Sequence, residues 1–412
     1  MTRLRIALVT HGPEGSGGVR RWTEFLYSAF EHSDRFELDV VSIATSSRDS
    51  NSRRILKPST WWRPVVESRG SFRGIDYRHV GANLVELEFQ RYRPRPLLTR
   101  VLAEYDLIQF VVGFASWGYV ASQQAAPIVL LVATTALADR RARVEASRFP
   151  RRWWLASMGL IAERYERRAL RRADRTIVPS EYTLGAVRPW TGPDRARVVF
   201  PGVDTDRLRP GTGITRQGIL TVGRFDDPRK NLALLLRAYS RLPPSLGQPL
   251  RVVGETPDHL KDLARRLGIS DRVEFVGRVE NFEKLCDLYA SAAVLAVSSD
   301  EEGLSMVIQE AMAAGLPVVS TDCGGPRTIV RDGVTGRLTP VGDEQALADA
   351  MRATLDDPVM MQRMGASARA FAEEHFTLER SARAFAATWE VALSGGSGHG
   401  SAAVRSGQRG PA

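Results

Sequence analysis

The sequence predicts an α/β protein of two domains, each built on a parallel sheet, and three observations carry that prediction. The chain has 412 residues, enough for two domains of about 200. It is 43% apolar and 25% charged, the balance of a folded chain and not of a disordered one. Short apolar runs alternate with stretches of helical periodicity, the order that gives βαβ units. The alternation is clearest late in the chain. An apolar run at 292–297 reads as a strand buried on both faces. The chain then turns acidic at Asp300, Glu301 and Glu302, and Gly303 relaxes the backbone. From about Leu304 the pattern is helical, with Val307, Ile308, Ala311 and Met312 at spacings of three and four. Gly315 and Pro317 stop that helix, and residues 317–320 begin the next strand. Strand, loop, helix, loop, strand within about thirty residues is a parallel βαβ unit.

In the first half, residues 5–10 form a strand that runs into Gly15, Gly17 and Gly18, and residues 19–30 are helical. A strand, a glycine turn and a helix N-terminus together make an anion site. The spacing is not the dinucleotide pattern G-x-G-x-x-G, and a plain strand-to-helix turn is the other reading. Residues 39–43 are a second strand. Residues 46–100 read as irregular and hold Arg53, Arg54, Lys57, Trp61, Trp62, Arg63 and Arg69, a basic, aromatic binding surface. Two more buried strands follow at 107–112 and 128–132. Residues 151–172 form a long basic helix with Trp154, Met158, Ile161 and Tyr165 on one face. Trp153 and Trp154 beside Arg151 and Arg152 suit a membrane interface; a helix packed on the first sheet is the commoner arrangement.

Residues 219–223 open the second half. Arg224 and Lys230 then bracket a polar turn before an amphipathic helix. Two cations at a strand end can neutralise a diphosphate, arginine by its fork and lysine as a point charge. Strands at 250–254, 273–279 and 292–297 are separated by helices near 258–267 and 281–291. Helices at 346–355 and 378–393 follow, and the Gly/Ser-rich residues 394–412 read as a disordered tail. Ligands of open parallel sheets sit beyond the carboxyl ends of the strands. Glu302 lies at such an end and Glu310 two turns along the next helix, so their carboxylates could accept hydrogen bonds from two sugars of one ligand. A solvated helix face is the competing reading of Glu310.

The net charge of +10 is unevenly placed, with +11 in residues 1–195 and −1 in the remainder. A basic half points to phosphates on a substrate, a membrane or a nucleic acid. Lys57 is its one lysine, so an arginine-rich proteome is an equally plain explanation, and no nucleic-acid motif accompanies it. Cys286 and Cys323 make no disulfide framework, which fits a reducing cytoplasm. The first apolar run is too short for a signal peptide. The longest, 127–138, falls below the ~20 residues of a membrane helix.

The stretch EEGLSMVIQEAMAAGLPVVSTDCGGPRTIVRDGVTG at 301–336 resembles the signature of the family 4 glycosyltransferases, in which two glutamates eight residues apart flank a small-residue loop. GRFDDPRKN at 223–231, ADRTIVPSEYT at 173–183 and VVFPGVDTDRL at 198–208 resemble further parts of the same family. The likeness covers nearly the whole chain, strongly from 219 to 340 and weakly from 46 to 150. It implies two Rossmann-like domains facing across a cleft, the GT-B type. Residues 1–200 would form the acceptor domain, with helix 378–393 crossing back to it, and residues 214–376 the donor domain. The implied reaction moves a sugar from a nucleotide-diphosphate-sugar to an acceptor hydroxyl with retention, without an essential metal and with no cofactor beyond that co-substrate.

The resemblance makes Glu302, Arg224 and Lys230 catalytic, with Arg224 and Lys230 on the diphosphate and Glu302 on the donor sugar. It adds Gly17 and Gly18 near the phosphates, backbone near Val279 at the nucleobase, Gly303, Leu304, Ser305 and Met306 after the first glutamate, and Glu310 on the ribose. The acceptor would be a sugar, a lipid-linked molecule or a small metabolite, at the inner face of an anionic membrane or in solution. Two departures stand out. A histidine common in the family after the 128–132 strand is replaced by Ala133, Thr134 and Thr135, and Thr328 stands where an acid is usual. Asp204, Thr205 and Asp206 spell a metal-binding triplet of another transferase fold, but they fall in a hinge-like turn and read as a chance match. A catalytically degenerate binder of the same fold and a sugar-nucleotide epimerase stay open as alternatives. Conversion of a nucleotide-sugar without an acceptor would mark the epimerase.

Overall fold

The computed structural model describes residues 3–11, 18–145, 147–211, 213 and 215–396. Two sheets organise them, one in each of two compact units. The first unit takes the chain up to Val178, residues 184–199 and the chain from Ala382 onward; the second takes Pro179–Thr183 and Phe200–Ser381.

The first sheet has β1 (Leu4–Thr10), β2 (Phe36–Ile43), β3 (Glu67–Phe72), β4 (Ile75–Val80), β5 (Leu107–Val112), β6 (Ile128–Val132), β7 (Arg175–Val178) and β8 (Ala196–Val198). Their order is β3-β4-β2-β1-β5-β6-β7-β8, parallel except for the antiparallel β3–β4 pair. The central strands β5 and β6 are buried along their whole length, as their unbroken apolar runs require between two layers of helix.

The hairpin β3–β4 corrects the expectation of irregular structure over 46–100. It turns at Arg73 and Gly74, both at positive φ as tight hairpins demand. Its outer strand, ESRGSF, sits at the sheet edge with no residue buried, so no apolar run marks it in the sequence. The helix Arg151–Arg172 also differs in its packed face. Gly159, Ala162, Tyr165, Glu166, Ala169 and Leu170 are buried, whereas Trp154 points to solvent. Small residues let the helix lie close to the 115–121 segment, where Ser116 Oγ donates to Ala162 O at 2.8 Å.

The last helix, Leu378–Gly396, fills a gap in the first unit. Phe385 and Trp389 pack with Trp22, Phe30 and Phe36. The buried Trp389 indole donates to Gln109 Oε1 of β5 at 2.8 Å, which satisfies an amide placed in mid-core. Residues 394–396 of the expected tail complete this helix, and residues 397–412 lie outside the described ones.

The second sheet has β9 (Ile219–Val222), β10 (Leu250–Val253), β11 (Val273–Gly277), β12 (Val294–Val297), β13 (Val318–Thr321) and β14 (Gly336–Thr339), all parallel, in the order β11-β10-β9-β12-β13-β14. Strand order reverses between β9 and β12, and such a reversal opens a crevice at the carboxyl ends of the two strands. The helix Pro358–His375 has no counterpart in the sequence expectations. Its buried positions, Met364, Gly365, Ala368 and Ala372, are mostly too small to give a strong apolar period.

Candidate functional site

The turn after β9 is shaped first by backbone contact. A Cβ on Gly254, at φ +134°, would lie 1.8 Å from the Gly223 carbonyl oxygen, so only glycine lets the turns after β9 and β10 meet. Beyond Gly223, Asp227 accepts from Arg229 N at 3.1 Å and pairs with the Arg229 guanidinium at 2.7 Å. Arg229 also reaches Glu301 at 3.3 Å. Burial pushes the Asp227 carboxyl up, but its bonds to Arg229 outweigh that and hold it below its usual value. Arg229 is thus committed to acids of the site. Arg224, by contrast, is half-exposed and keeps only a 3.7 Å contact with Asp227.

Asn231, at φ +40°, ends the turn and caps the helix Leu232–Ser240 by accepting from Leu234 N at 3.2 Å. Its amide donates to Asp300 Oδ1 at 2.8 Å, and Asp300 N donates to Arg229 O at 2.8 Å. These bonds fasten the β9 turn to the β12 turn. Lys230 Nζ lies 2.5 Å from Glu302 Oε1, which also accepts from Ser299 Oγ at 2.8 Å. The structure therefore brings together Lys230 and Glu302, 72 residues apart in the chain.

Glu302 is itself held by glycines. Gly325 N donates to Glu302 O at 2.8 Å, and a Cβ on Gly325 would fall 2.6 Å from Gly303 O and 2.7 Å from Glu302 O. Burial, helped by the nearby Glu302 charge, pushes the Cys323 thiol up to about 12, so it stays neutral. The following helix, Met306–Ala313, starts two residues later than its apolar pattern suggests. Ser305 stands at its N-cap, yet its buried Oγ has no hydrogen-bond partner among the described residues. A helix start with free N–H groups and an unused hydroxyl is suited to an anion. Glu310 is buried and accepts from Tyr289 Oη at 2.7 Å, which removes the solvated-face reading. Tyr289, on the helix Phe282–Ser291, was not legible as a site residue because its pattern is that of any core tyrosine.

Gly303, Leu304, Met306 and Val279 are half-buried around these groups. Val279 follows Gly277, whose carbonyl accepts from Gly254 N at 2.8 Å, so the β11 loop adjoins the β10 turn. Among the described residues no three His, Cys, Asp or Glu side chains gather as a metal site. Asp204 instead accepts from Arg207 N at 3.0 Å, an ordinary turn.

In the first unit, Gly15 and Gly17 lie outside the described residues, and Gly18 opens the helix Gly18–Phe30. At the carboxyl end of β1, His11 packs on Trp117 with ring centroids 5.7 Å apart, and desolvation holds its imidazole below the usual value. Thr134 N donates to Gly113 O at 2.9 Å, and Thr135 Oγ1 accepts from Ala138 N at 3.3 Å, so both threonines serve the turn after β6. Glu166 is fully buried and accepts from Ala115 N and Ala136 N at 3.1 and 3.0 Å. Burial pushes its carboxyl up to about 7 against those two bonds. His11 and Glu166 each stand alone in the sequence and give no pattern to read.

Two family models match the chain: Glycosyltransferase Family 4 over residues 16–207 and Glycosyl transferases group 1 over residues 216–357. The D-inositol 3-phosphate glycosyltransferase of Mycolicibacterium smegmatis is 32% identical over 87% of this chain and 83% of its own length. The chain belongs to the family 4 glycosyltransferases. The enzyme of the same name from Nocardia farcinica is 29% identical over 89% of this chain and 83% of its own. That of Streptomyces scabiei is 36% identical, but this chain spans only 56% of its length. Among solved structures, sucrose-phosphate synthase from Thermosynechococcus elongatus aligns with a TM-score of 0.73 at 22% identity, over 95% of this chain and 100% of that one. The Anabaena protein HepE in complex with UDP-glucose aligns at 0.68 and 20% identity, over 94% and 100%. The fold is GT-B, and this glycosyltransferase moves a sugar from a nucleotide-sugar donor to an acceptor.

Proposed function

We propose that this glycosyltransferase works with retention and without a metal, and that its donor site is the crevice between β9 and β12. The observation that carries this is the Lys230–Glu302 contact beside Arg224 and the start of helix Met306–Ala313. As the glycosidic bond breaks, the departing diphosphate gains negative charge. Arg224, Lys230 and the first N–H groups of that helix are the groups of this unit that would stabilise it. With their charge in place, no metal is needed for that task. Glu302 would hold the donor sugar's hydroxyls, and Glu310, fixed by Tyr289, the ribose hydroxyls. The bond between the anomeric carbon and the phosphate oxygen breaks while the acceptor oxygen bonds that carbon on the same face. The acceptor's proton passes to the departing phosphate oxygen, so no protein base is required.

The names of the relatives and the basic first half support a phosphate-bearing acceptor, and the HepE complexes support a uridine nucleotide as donor. Free Cys286 and Cys323 fit a reducing cytoplasm. No described helix is long and apolar enough to cross a membrane; attachment to its surface is taken up below. The test is a thermal-shift screen of nucleotide sugars. The best donor is then incubated with D-inositol 3-phosphate and the product's anomeric configuration read by NMR. A product that keeps the donor's configuration is expected; an inverted product would overturn the retaining assignment.

A further inference from the structure

The helix Arg151–Arg172 buries one face in the first unit and leaves the other uncovered. At 100° per residue, Trp153, Ser157, Leu160, Arg164, Arg167, Arg168 and Arg171 fall on a single stripe along its five turns. All of them are exposed: Trp153 by 74%, Leu160 by 62%, and Trp154 at the stripe's edge by 57%. Phe149, just before the helix, is 80% exposed. The stripe is therefore apolar at its N-terminal end and cationic at its C-terminal end. Leu160, Glu163, Arg164, Arg167, Arg168 and Arg171 border a groove of about 450 Å³ there.

The charges on this face are not spent within the protein. Glu163, beside the stripe, pairs with Arg167 at 2.5 Å. Arg151, Arg152, Arg164 and Arg171 make no ion pair with any described residue, and Arg168 only lies over the Tyr165 ring. An exposed tryptophan pair is equally unusual, because large apolar side chains left in water mark a surface that meets something else. We propose that this stripe docks the enzyme, flat, on the headgroup region of an anionic lipid bilayer.

The division of the stripe favours that occupant. Tryptophan rings settle at the depth where headgroups meet acyl chains. Arginines further along the same line neutralise lipid phosphates and keep their heads in the wet layer. A nucleic acid would call for exposed aromatic rings along the whole cationic track so that bases stack on it; here the exposed rings, Trp153 and Trp154, stand only at the N-terminal end, and the Tyr165 ring under Arg168 is buried. Attachment is a property of this face alone and does not rest on the donor or acceptor assignment, since no residue of the stripe is a donor-site residue.

The test is co-sedimentation of the full chain with vesicles of phosphatidylcholine, with and without phosphatidylglycerol. Binding is expected only with phosphatidylglycerol, and it should weaken as salt rises. Charge reversal at Arg164→Glu/Arg168→Glu/Arg171→Glu should lower vesicle affinity more than about tenfold. Trp153→Ala/Trp154→Ala should lower it several-fold and abolish the blue shift of tryptophan emission on binding. Both variants should keep the melting temperature and the thermal shift produced by the nucleotide-sugar donor. Should the triple variant lose stability, the tryptophan variant carries the test, because its altered side chains face solvent. The inference is overturned by wild-type binding in both variants, by no binding to phosphatidylglycerol vesicles at low salt, or by retention on single-stranded RNA without retention on vesicles.

Discussion

Replacing Glu302 by glutamine should tighten binding of the nucleoside diphosphate while stopping transfer. In the structure Lys230 Nζ lies 2.5 Å from Glu302 Oε1, so a diphosphate that draws on Lys230 competes with this carboxylate. A hydrogen bond to a charged group contributes about 1.5–3 kcal/mol. Lys230 keeps a quarter of its side chain in water, which places the pair below the 3–5 kcal/mol lost when one partner of a fully buried pair is removed. About 2 kcal/mol for Lys230→Met is the resulting expectation for stability. Glu302→Gln should cost less, because the amide oxygen still accepts from Ser299 Oγ and the charge left behind, on Lys230, is the more exposed of the two and can turn to water. The double variant should resemble Glu302→Gln alone, which makes the coupling as large as the Lys230→Met effect, about 2 kcal/mol. Urea unfolding of the four proteins reads the stability cycle, and calorimetry with the nucleoside diphosphate reads affinity. Lys230→Met should weaken that affinity by 1.5–3 kcal/mol, about ten- to 150-fold. Glu302→Gln should strengthen it, and turnover with the full donor should nearly vanish. Additive effects on stability, together with weaker binding in Glu302→Gln, would show that the two groups do not compete and would refute the reasoning.

Three further perturbations follow from single contacts. Tyr289→Phe removes the hydrogen bond to Glu310; steady-state kinetics should show a raised donor KM and a smaller change in kcat, with about 1.5–3 kcal/mol of stability lost. Trp389→Phe leaves Gln109 Oε1 without its donor in the core of the first unit and should cost about 1–3 kcal/mol in urea unfolding beyond the loss of packed area. Glu166 has a folded value raised from 4.5 to about 7. Between those values the folded protein keeps a proton that the unfolded chain has lost, so stability falls as pH rises through the window, by up to about 3 kcal/mol. Glu166→Gln should flatten that slope, and parallel unfolding midpoints for wild type and variant from pH 4 to 8 would contradict it.

The second unit was legible because its inner strands, β12 above all, are buried on both faces and write themselves as apolar runs. Its site residues follow strand ends, where sequence position and chemistry coincide. Glu302, Lys230 and Arg224 could be placed in that way. The contact between Lys230 and Glu302 could not, since it depends on β9 and β12 being neighbours across the reversal of strand order. The hairpin β3–β4 was lost because an edge strand has no apolar signature. The packed face of helix Arg151–Arg172 was not legible because Gly159, Ala162 and Ala169 make much of the close packing and small residues give a weak apolar period, while the tryptophans remain outside. Tyr289 and Glu166 act through buried contacts with residues distant in the chain, and one residue sets no period.

The last helix has a consequence for synthesis. Trp22, Phe30 and Phe36 leave the ribosome before the residues of the second unit, but Phe385 and Trp389, which cover them, leave after those residues. Between Val199 and Ala382 all of the second unit except Pro179–Thr183 must be translated, roughly 180 residues. At about 5–20 residues per second that takes on the order of 10–40 s. Throughout that interval the nascent first unit carries an open aromatic trough, long enough for chaperones to engage it. A recombinant first unit cut near residue 199 would stay permanently in that condition, and expressing it intact would require supplying residues 378–396 as well.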